Sequence, residues 1–249
     1  MVEMLFGLRL TGFALVALAT SAAACAAPDD APEATASDDA ELRRYVDAGR
    51  ERPEVGYLRY EKGFCTATLI GPRTVLTAAH CFHFSSAIGA ASAPALGTFT
   101  IQAADGTSTA YGFRRFRADA LIIEPGFDLA VVQLDIPVPA SRATPATIAS
   151  EWGSERLTVF GYGKHGSNCD DNDAGWVKRK TTVPAGGWVK SVSCPGDSGG
   201  PYFRGNTSEI VATVKGPAAG VEFMADAVKH RKWILARREE SERGALTTD

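Results

Sequence analysis

Ser198 stands in the run Cys194-Pro195-Gly196-Asp197-Ser198-Gly199-Gly200-Pro201. A serine set among glycines can occupy a tight turn with its hydroxyl exposed, because glycine permits backbone angles and close approaches that a side chain blocks. In such a turn the amides of Gly196 and Ser198 can converge on a developing oxyanion. A serine hydroxyl is a weak nucleophile and needs a base. The candidate base is His80, in Thr77-Ala78-Ala79-His80-Cys81. Asp128, a lone carboxylate in Gly126-Phe127-Asp128-Leu129-Ala130-Val131-Val132, is the candidate third group, which would orient the imidazole and stabilise its charged form. The chemistry such a set serves is attack on a carbonyl carbon.

Residues so far apart in sequence need a scaffold that returns them to one place. Short β-prone runs recur at Val55–Tyr60, Cys65–Ile70, Thr74–Thr77, Thr98–Gln102, Leu129–Leu134, Arg156–Gly161, Trp176–Val183 and Ile210–Val214, separated by Gly, Pro, Asn and Asp. This spacing predicts an all-β sandwich or barrel, and no helical stretch falls between consecutive strands as a βαβ unit requires. One helix is expected, from about Asp226 to Arg238, with Asp226 as N-cap and Val228, Ile234 and Leu235 on one apolar face. No repeat at fixed period is visible.

The chain of 249 residues is 45% hydrophobic and 22% charged, with a formal net charge of −3. That is enough apolar material for a sizeable core and excludes disorder throughout. A slightly acidic balance lacks the basic footprint of a nucleic-acid binder. Residues 1–24 read as an export signal, with Arg9, the apolar run Leu10–Ala19 and small residues up to Ala24. Cys25 after Ala22-Ala23-Ala24 occupies the place of a lipidated cysteine in a bacterial lipoprotein signal, with an ordinary signal cut as the alternative. Residues 25–44, rich in Ala, Pro, Asp, Ser and Thr, read as a flexible linker or propeptide. Residues 239–249 read as a polar, frayed tail. The expected location is therefore the extracellular space or the bacterial cell envelope, with membrane contact only through a lipid on Cys25.

Thr77–Cys81, Phe127–Leu129 and Gly196–Pro201 resemble, in this order, the three signatures of the trypsin/chymotrypsin-like serine endopeptidases. Cys65–Ile70 resembles the strand before the histidine in that family, Phe160–Gly163 the start of its second barrel, and His230–Ile234 its closing helix. The resemblance spans nearly all of Pro53–Ile234. It implies two antiparallel six-stranded β-barrels over residues 45–238 with a C-terminal α-helix and a catalytic cleft between the barrels. It also implies a monomeric enzyme acting on polypeptides through His80, Asp128 and Ser198, with no metal or organic cofactor. Cys65, His80, Cys81 and His83 can also be read as zinc ligands, but in an exported chain a Cys65–Cys81 disulfide is the expected state.

Departures from the family pattern carry their own expectations. The floor of the substrate pocket would be Val192, six positions before Ser198, where members cutting after Arg or Lys have an aspartate. The pocket wall Ser-Trp-Gly becomes Val214-Lys215-Gly216. Both changes point to small or apolar substrate side chains. Family members free an Ile-Val-Gly-Gly terminus whose ammonium pairs with the aspartate before the serine, here Asp197. Nothing here matches that sequence, and the nearest counterpart is Tyr45-Val46-Asp47-Ala48-Gly49 after Arg43-Arg44, so cleavage after Arg44 is the expected activation step of a zymogen. No cysteine follows Cys194, which leaves Cys169 as its disulfide partner. The alternative from another functional class is a catalytically silent protein that uses this fold for binding.

Overall fold

The structure, a computed structural model, describes residues 46–60, 63–82, 97–119, 127–166, 168–170, 177–186, 189–218 and 220–246. These belong to one compact unit, Thr35–Asp249. Residues 1–45, which include Cys25, Tyr45 and the segments read above as an export signal and a linker, lie outside the described residues, as do His83 and Trp176.

After a two-residue strand β1 (Val46–Asp47), the first half is built from β2 (Val55–Tyr60), β3 (Gly63–Gly71), β4 (Thr74–Thr77), β5 (Gly97–Gln102), β6 (Ser108–Asp119) and β7 (Leu129–Leu134). These six close into a barrel in the order β2-β3-β4-β7-β6-β5, with every pair antiparallel. Strand periodicity explains why β7 is apolar at nearly every position. Ala130, Val132 and Leu134 fill the barrel interior with Leu58, Phe99 and Phe113. Leu129 and Val131 point the other way, into a second core shared with Phe160, Phe203 and Ile234 from the rest of the chain. The strand that begins beside Asp128 is therefore clamped from both sides.

The second half contains β8 (Thr147–Ile148), β9 (Leu157–Gly161), β10 (Arg179–Val183), β11 (Pro201–Arg204), β12 (Glu209–Ala218) and β13 (Val221–Asp226). Its sheet runs β1-β10-β9-β11-β12-β13, around a core of Leu157, Val159, Val183, Tyr202, Val211 and Val214. Two details depart from a pair of closed six-stranded antiparallel barrels. β8 pairs with β12 in parallel, and among the described residues the second sheet does not close, although a bridge between Lys190 and Val221 ties the loop before Ser198 to its edge.

The terminal helix α1 spans Arg231–Glu242, displaced from the expected Asp226–Arg238. Asp226 does cap, but it caps a preceding turn, its Oδ1 accepting the Lys229 amide at 2.8 Å. The tail expected to fray is docked as far as residue 246. Glu242 Oε1 accepts the Arg73 amide (3.1 Å) and the Thr74 hydroxyl (2.5 Å), and Leu246 is 2% exposed with its amide on Gln133 Oε1 at 3.2 Å. The polar composition of this segment hid one apolar anchor and a side-chain bond back to the β3–β4 turn.

Candidate active site

His80 lies in a 3-10 turn, Ala79–Phe82, directly after β4. Two anchors set that turn. Cys81 is bonded to Cys65 of β3, with Cα atoms 6.2 Å apart, and the Phe82 ring stacks on Phe116 of β6 at 4.0 Å between centroids. Asp128 immediately precedes β7 and is buried. Its Oδ2 lies 2.6 Å from His80 Nδ1, its Oδ1 accepts the His80 amide at 2.9 Å, and its carbonyl accepts the Ala79 amide at 3.2 Å. A carboxylate accepts only, so the neutral imidazole carries its proton on Nδ1 and leaves Nε2 as an acceptor. The His80 side chain is 45% exposed, so its ring remains within reach of solvent or a substrate.

Ser198 sits in the loop that enters β11, and the second disulfide expected from the sequence, Cys169–Cys194, is present at its base with Cα atoms 5.5 Å apart. Thr66 of β3 is the hub between the halves. Its amide donates to Ser198 O (2.9 Å), its hydroxyl donates to Gly196 O (2.9 Å), and the same hydroxyl accepts the Tyr162 amide (2.9 Å). Gly199 has φ +79°, and a Cβ there would overlap Thr77 Oγ1 and Thr66 O, so glycine is what lets the serine loop press against β3 and the end of β4, just before the turn that carries His80. Among the described residues the Ser198 hydroxyl and His80 share no hydrogen bond; in unliganded sites such bonds commonly tighten only around substrate.

The loop's backbone donors divide sharply. Val192 and Ser193 donate to Glu222 Oε2 (both 3.1 Å), Cys194 to Asp197 Oδ2 (2.8 Å), and Asp197 to Cys194 O (3.0 Å). Gly199 donates to Val214 O (2.7 Å) and Gly200 to Asp197 O (2.8 Å), while Pro195 has no amide hydrogen. Gly196 and Ser198 remain, and among the described residues neither amide is taken by a protein acceptor. These are the two donors that the sequence singled out for an oxyanion.

Asp197 is 2% exposed, and its second oxygen accepts the Gly163 amide at 2.8 Å. A Cβ at Gly161 or Gly163 would occupy the space of this carboxylate, which explains the Gly-Tyr-Gly run. The chain that follows Tyr45 is fixed on the second half, with Val46 paired to Lys180 and the Ala48 amide on Lys178 O at 2.8 Å.

Val192, the residue expected at the pocket floor, and Val214, expected in its wall, are both buried, and Val214 O accepts the Gly199 amide of the serine loop at 2.7 Å. Lys215 falls in a bulge between β12 and β13, and Gly216 takes φ +119°. A Cβ at Gly216 or Gly220 would meet nothing within 4 Å. Sequence reasoning missed the buried carboxylate that holds the Val192–Ser193 segment. Glu222 of β13 is 5% exposed, and besides the two amides it accepts the Ser193 hydroxyl (3.0 Å) on Oε2 and the Tyr202 hydroxyl (3.1 Å) on Oε1. Burial, then the Glu222 charge and this bond, push the Tyr202 phenol well above its ordinary pKa. The available signal was a glutamate alternating with Val221 and Phe223 in a β-prone run.

The family model described as Trypsin matches residues 45–234. Among solved structures, a Glu endopeptidase in complex with MPD superposes with a TM-score of 0.63 at 18% identity, covering 79% of this chain and 95% of that one. A mutant of human heparin binding protein superposes with a TM-score of 0.59 at 20% identity, covering 78% and 95%. At those identities the structural neighbours establish the fold alone. The family match reaches from the residue before β1 into the first turn of α1, across both halves and all three candidate residues, and the chain belongs to the trypsin family.

Proposed function

We propose that the protein is a serine endopeptidase that cleaves peptide bonds through His80, Asp128 and Ser198. The observation that carries this reading is that Gly196 and Ser198 keep their amides unclaimed in a loop whose other donors are all bonded. A peptide carbonyl oxygen placed there would receive both hydrogen bonds as it gains negative charge. His80 Nε2 takes the Ser198 proton as Oγ attacks the carbonyl carbon, and Asp128 holds the resulting imidazolium through Nδ1. The imidazolium then gives the proton to the leaving amine nitrogen as the C–N bond breaks, leaving an acyl-serine. Water, losing a proton to the same imidazole, attacks the ester carbonyl, and the imidazolium returns that proton to Ser198 Oγ as the C–O bond breaks and the acid leaves. No step calls on a metal or an organic cofactor.

We further propose that residues 45–238 form the protease domain, that residues 1–24 direct export, and that Cys25 is the point of lipid attachment. Two disulfides in a small domain support an oxidising compartment. Removal of residues 25–44 after Arg44 would complete maturation. Hydrolysis of unfolded casein tests the activity: the chain beginning at Tyr45 should cleave it, and its Ser198→Ala variant should not. Equal cleavage by both, or none by either when both are folded, would reject the reading and leave a binding protein.

A further inference from the structure

A glycine among the two free amides poses a positioning problem. Gly196 takes φ +102°, and a Cβ there would run into the Phe64 ring, so a side chain is excluded at this turn. The same freedom lets a glycine amide swing, because no Cβ restricts the peptide planes on either side of it. An amide that must meet an oxyanion in one direction needs those planes fixed from elsewhere.

Hydrogen bonds supply that constraint on each side of Gly196. The peptide joining Pro195 to Gly196 carries the Gly196 N–H, and its carbonyl, Pro195 O, accepts the Lys164 amide at 3.0 Å. No peptide is cis among the described residues, so the N–H points away from that carbonyl. The next peptide is held at both ends: Asp197 N donates to Cys194 O at 3.0 Å, and Gly196 O accepts the Thr66 hydroxyl at 2.9 Å. Ser198 O accepts the Thr66 amide at 2.9 Å, and the peptide presenting the Ser198 N–H lies between these two carbonyls. One residue of β3 thus holds the carbonyls of both oxyanion donors.

The Thr66 hydroxyl has its direction settled. Tyr162 N donates to Thr66 Oγ1 at 2.9 Å, and an amide N–H cannot accept, so the hydroxyl proton is left for Gly196 O. Thr66 is fully buried, where a hydrogen bond holds more firmly than in water. Its own carbonyl accepts the Thr77 hydroxyl at 2.8 Å, at the end of β4 and just before the turn that carries His80.

Resting on the peptidase reading, we propose that the Thr66 hydroxyl is a positioning group for the oxyanion donors. It touches neither the substrate nor the reacting atoms. It fixes the Gly196 carbonyl, and through that peptide it limits the swing of the Gly196 N–H. Donors aimed beforehand favour the transition state over the bound substrate, so the effect falls on kcat.

Thr66→Val removes the hydroxyl at nearly constant volume and keeps the backbone bond to Ser198, whereas Thr66→Ser keeps the hydroxyl. In the chain beginning at Tyr45, Thr66→Val should lower kcat by about 10–100-fold, short of losing a donor outright, with KM changed less than about threefold. A peptide boronic acid, whose tetrahedral adduct on Ser198 places an oxygen where the oxyanion forms, should bind more weakly by the same factor. The pH profile of kcat/KM should not move, since His80 and Asp128 keep their bonds. Thr66→Ser should retain kcat to within about threefold. A merely structural role would lower the unfolding midpoint and leave kcat per folded molecule unchanged, which overturns the proposal. A loss in Thr66→Ser as large as in Thr66→Val overturns it too. Should Thr66→Val not fold, Thr66→Ala makes the same comparison with the same expected loss. An unmodified chain that cleaves casein while the folded Val or Ala variant matches its kcat rejects the positioning role alone. An unmodified chain that neither cleaves nor takes the boronic acid rejects the peptidase reading and this inference with it.

Discussion

The two halves of the molecule position their contributions by different physics. The first half sets His80 and Asp128 with an apolar frame: a closed barrel, a disulfide, the Phe82–Phe116 stack and a β7 buried on both faces. Its part of the site is two side chains, and packing suffices to hold side chains. On the proposed mechanism the second half must aim backbone amides, and buried carboxylates hold the neighbouring ones. Asp197 and Glu222 between them accept Gly163, Val192, Ser193 and Cys194, and the loop left between these bonds presents Gly196 and Ser198. Where a site needs a particular side chain, hydrophobic burial fixes it; where it needs particular free amides, the remaining amides must be given acceptors.

Removing a carboxylate from each half separates the two modes. Asp128→Asn replaces the acceptor facing His80 Nδ1 with an amide that can turn the imidazole to the wrong tautomer, and should lower kcat by about 10⁴-fold with little change in stability. Asp197→Asn keeps His80 and Asp128 in place but puts a donor against an amide of Gly163 or Cys194. It should lower kcat by about 10²–10³-fold, the scale of one lost oxyanion donor, and destabilise the fold by about 1–3 kcal/mol. If Asp197→Asn proved harmless to both, the claim that carboxylates aim the loop would fail.

The disulfides sharpen the contrast at a smaller scale. They close segments of 16 and 25 residues, so on loop entropy alone each should be worth about 3 kcal/mol, with Cys169–Cys194 ahead by about 0.4 kcal/mol. Denaturant unfolding of Cys65→Ser/Cys81→Ser and Cys169→Ser/Cys194→Ser would measure both. The second pair should also lose activity beyond its stability cost, since Cys194 bears the amide that Asp197 holds.

The smallest effect is a dependence on pH in the second half. Lys178 donates to Arg52 O at 2.8 Å, and burial lowers its pKa to about 8, against the opposing pull of Glu54 and Glu51. The folded protein therefore releases this proton near pH 8, while the unfolded chain keeps it to about 10.5. Below pH 8 the cost of burying the cation is felt in full, and across the window from 8 to 10.5 stability gains with rising pH, by roughly 1–3 kcal/mol from this residue. Thermal unfolding of the unmodified chain against Lys178→Met from pH 7.5 to 10 should shift in favour of the unmodified chain. A constant difference would contradict it.

Much of the frame was legible because burial writes a pattern. β2, β4 and β7 coincide with their apolar runs, and the glycines at 196 and 199 mark the serine turn. β6, the longest strand, was hidden by Arg114, Arg115 and Arg117, and its bulge between Phe113 and Arg115 breaks the two-residue alternation, so the inward Phe113 and Phe116 are three apart. β13 was hidden by Glu222 and Asp226, because alternation reads an acidic residue as facing water. Residues such as Glu222 and Thr66 act through partners distant in sequence, and no local signal records who accepts their hydrogen bonds.

The central claim is that Ser198 is an activated nucleophile. Reaction with a fluorophosphonate, followed by peptide mass spectrometry, tests it most directly. The account predicts one adduct per chain on Ser198, lost in His80→Ala and strongly slowed in Asp197→Asn. A folded protein that takes no label, or takes it equally well in Ser198→Ala, would contradict it.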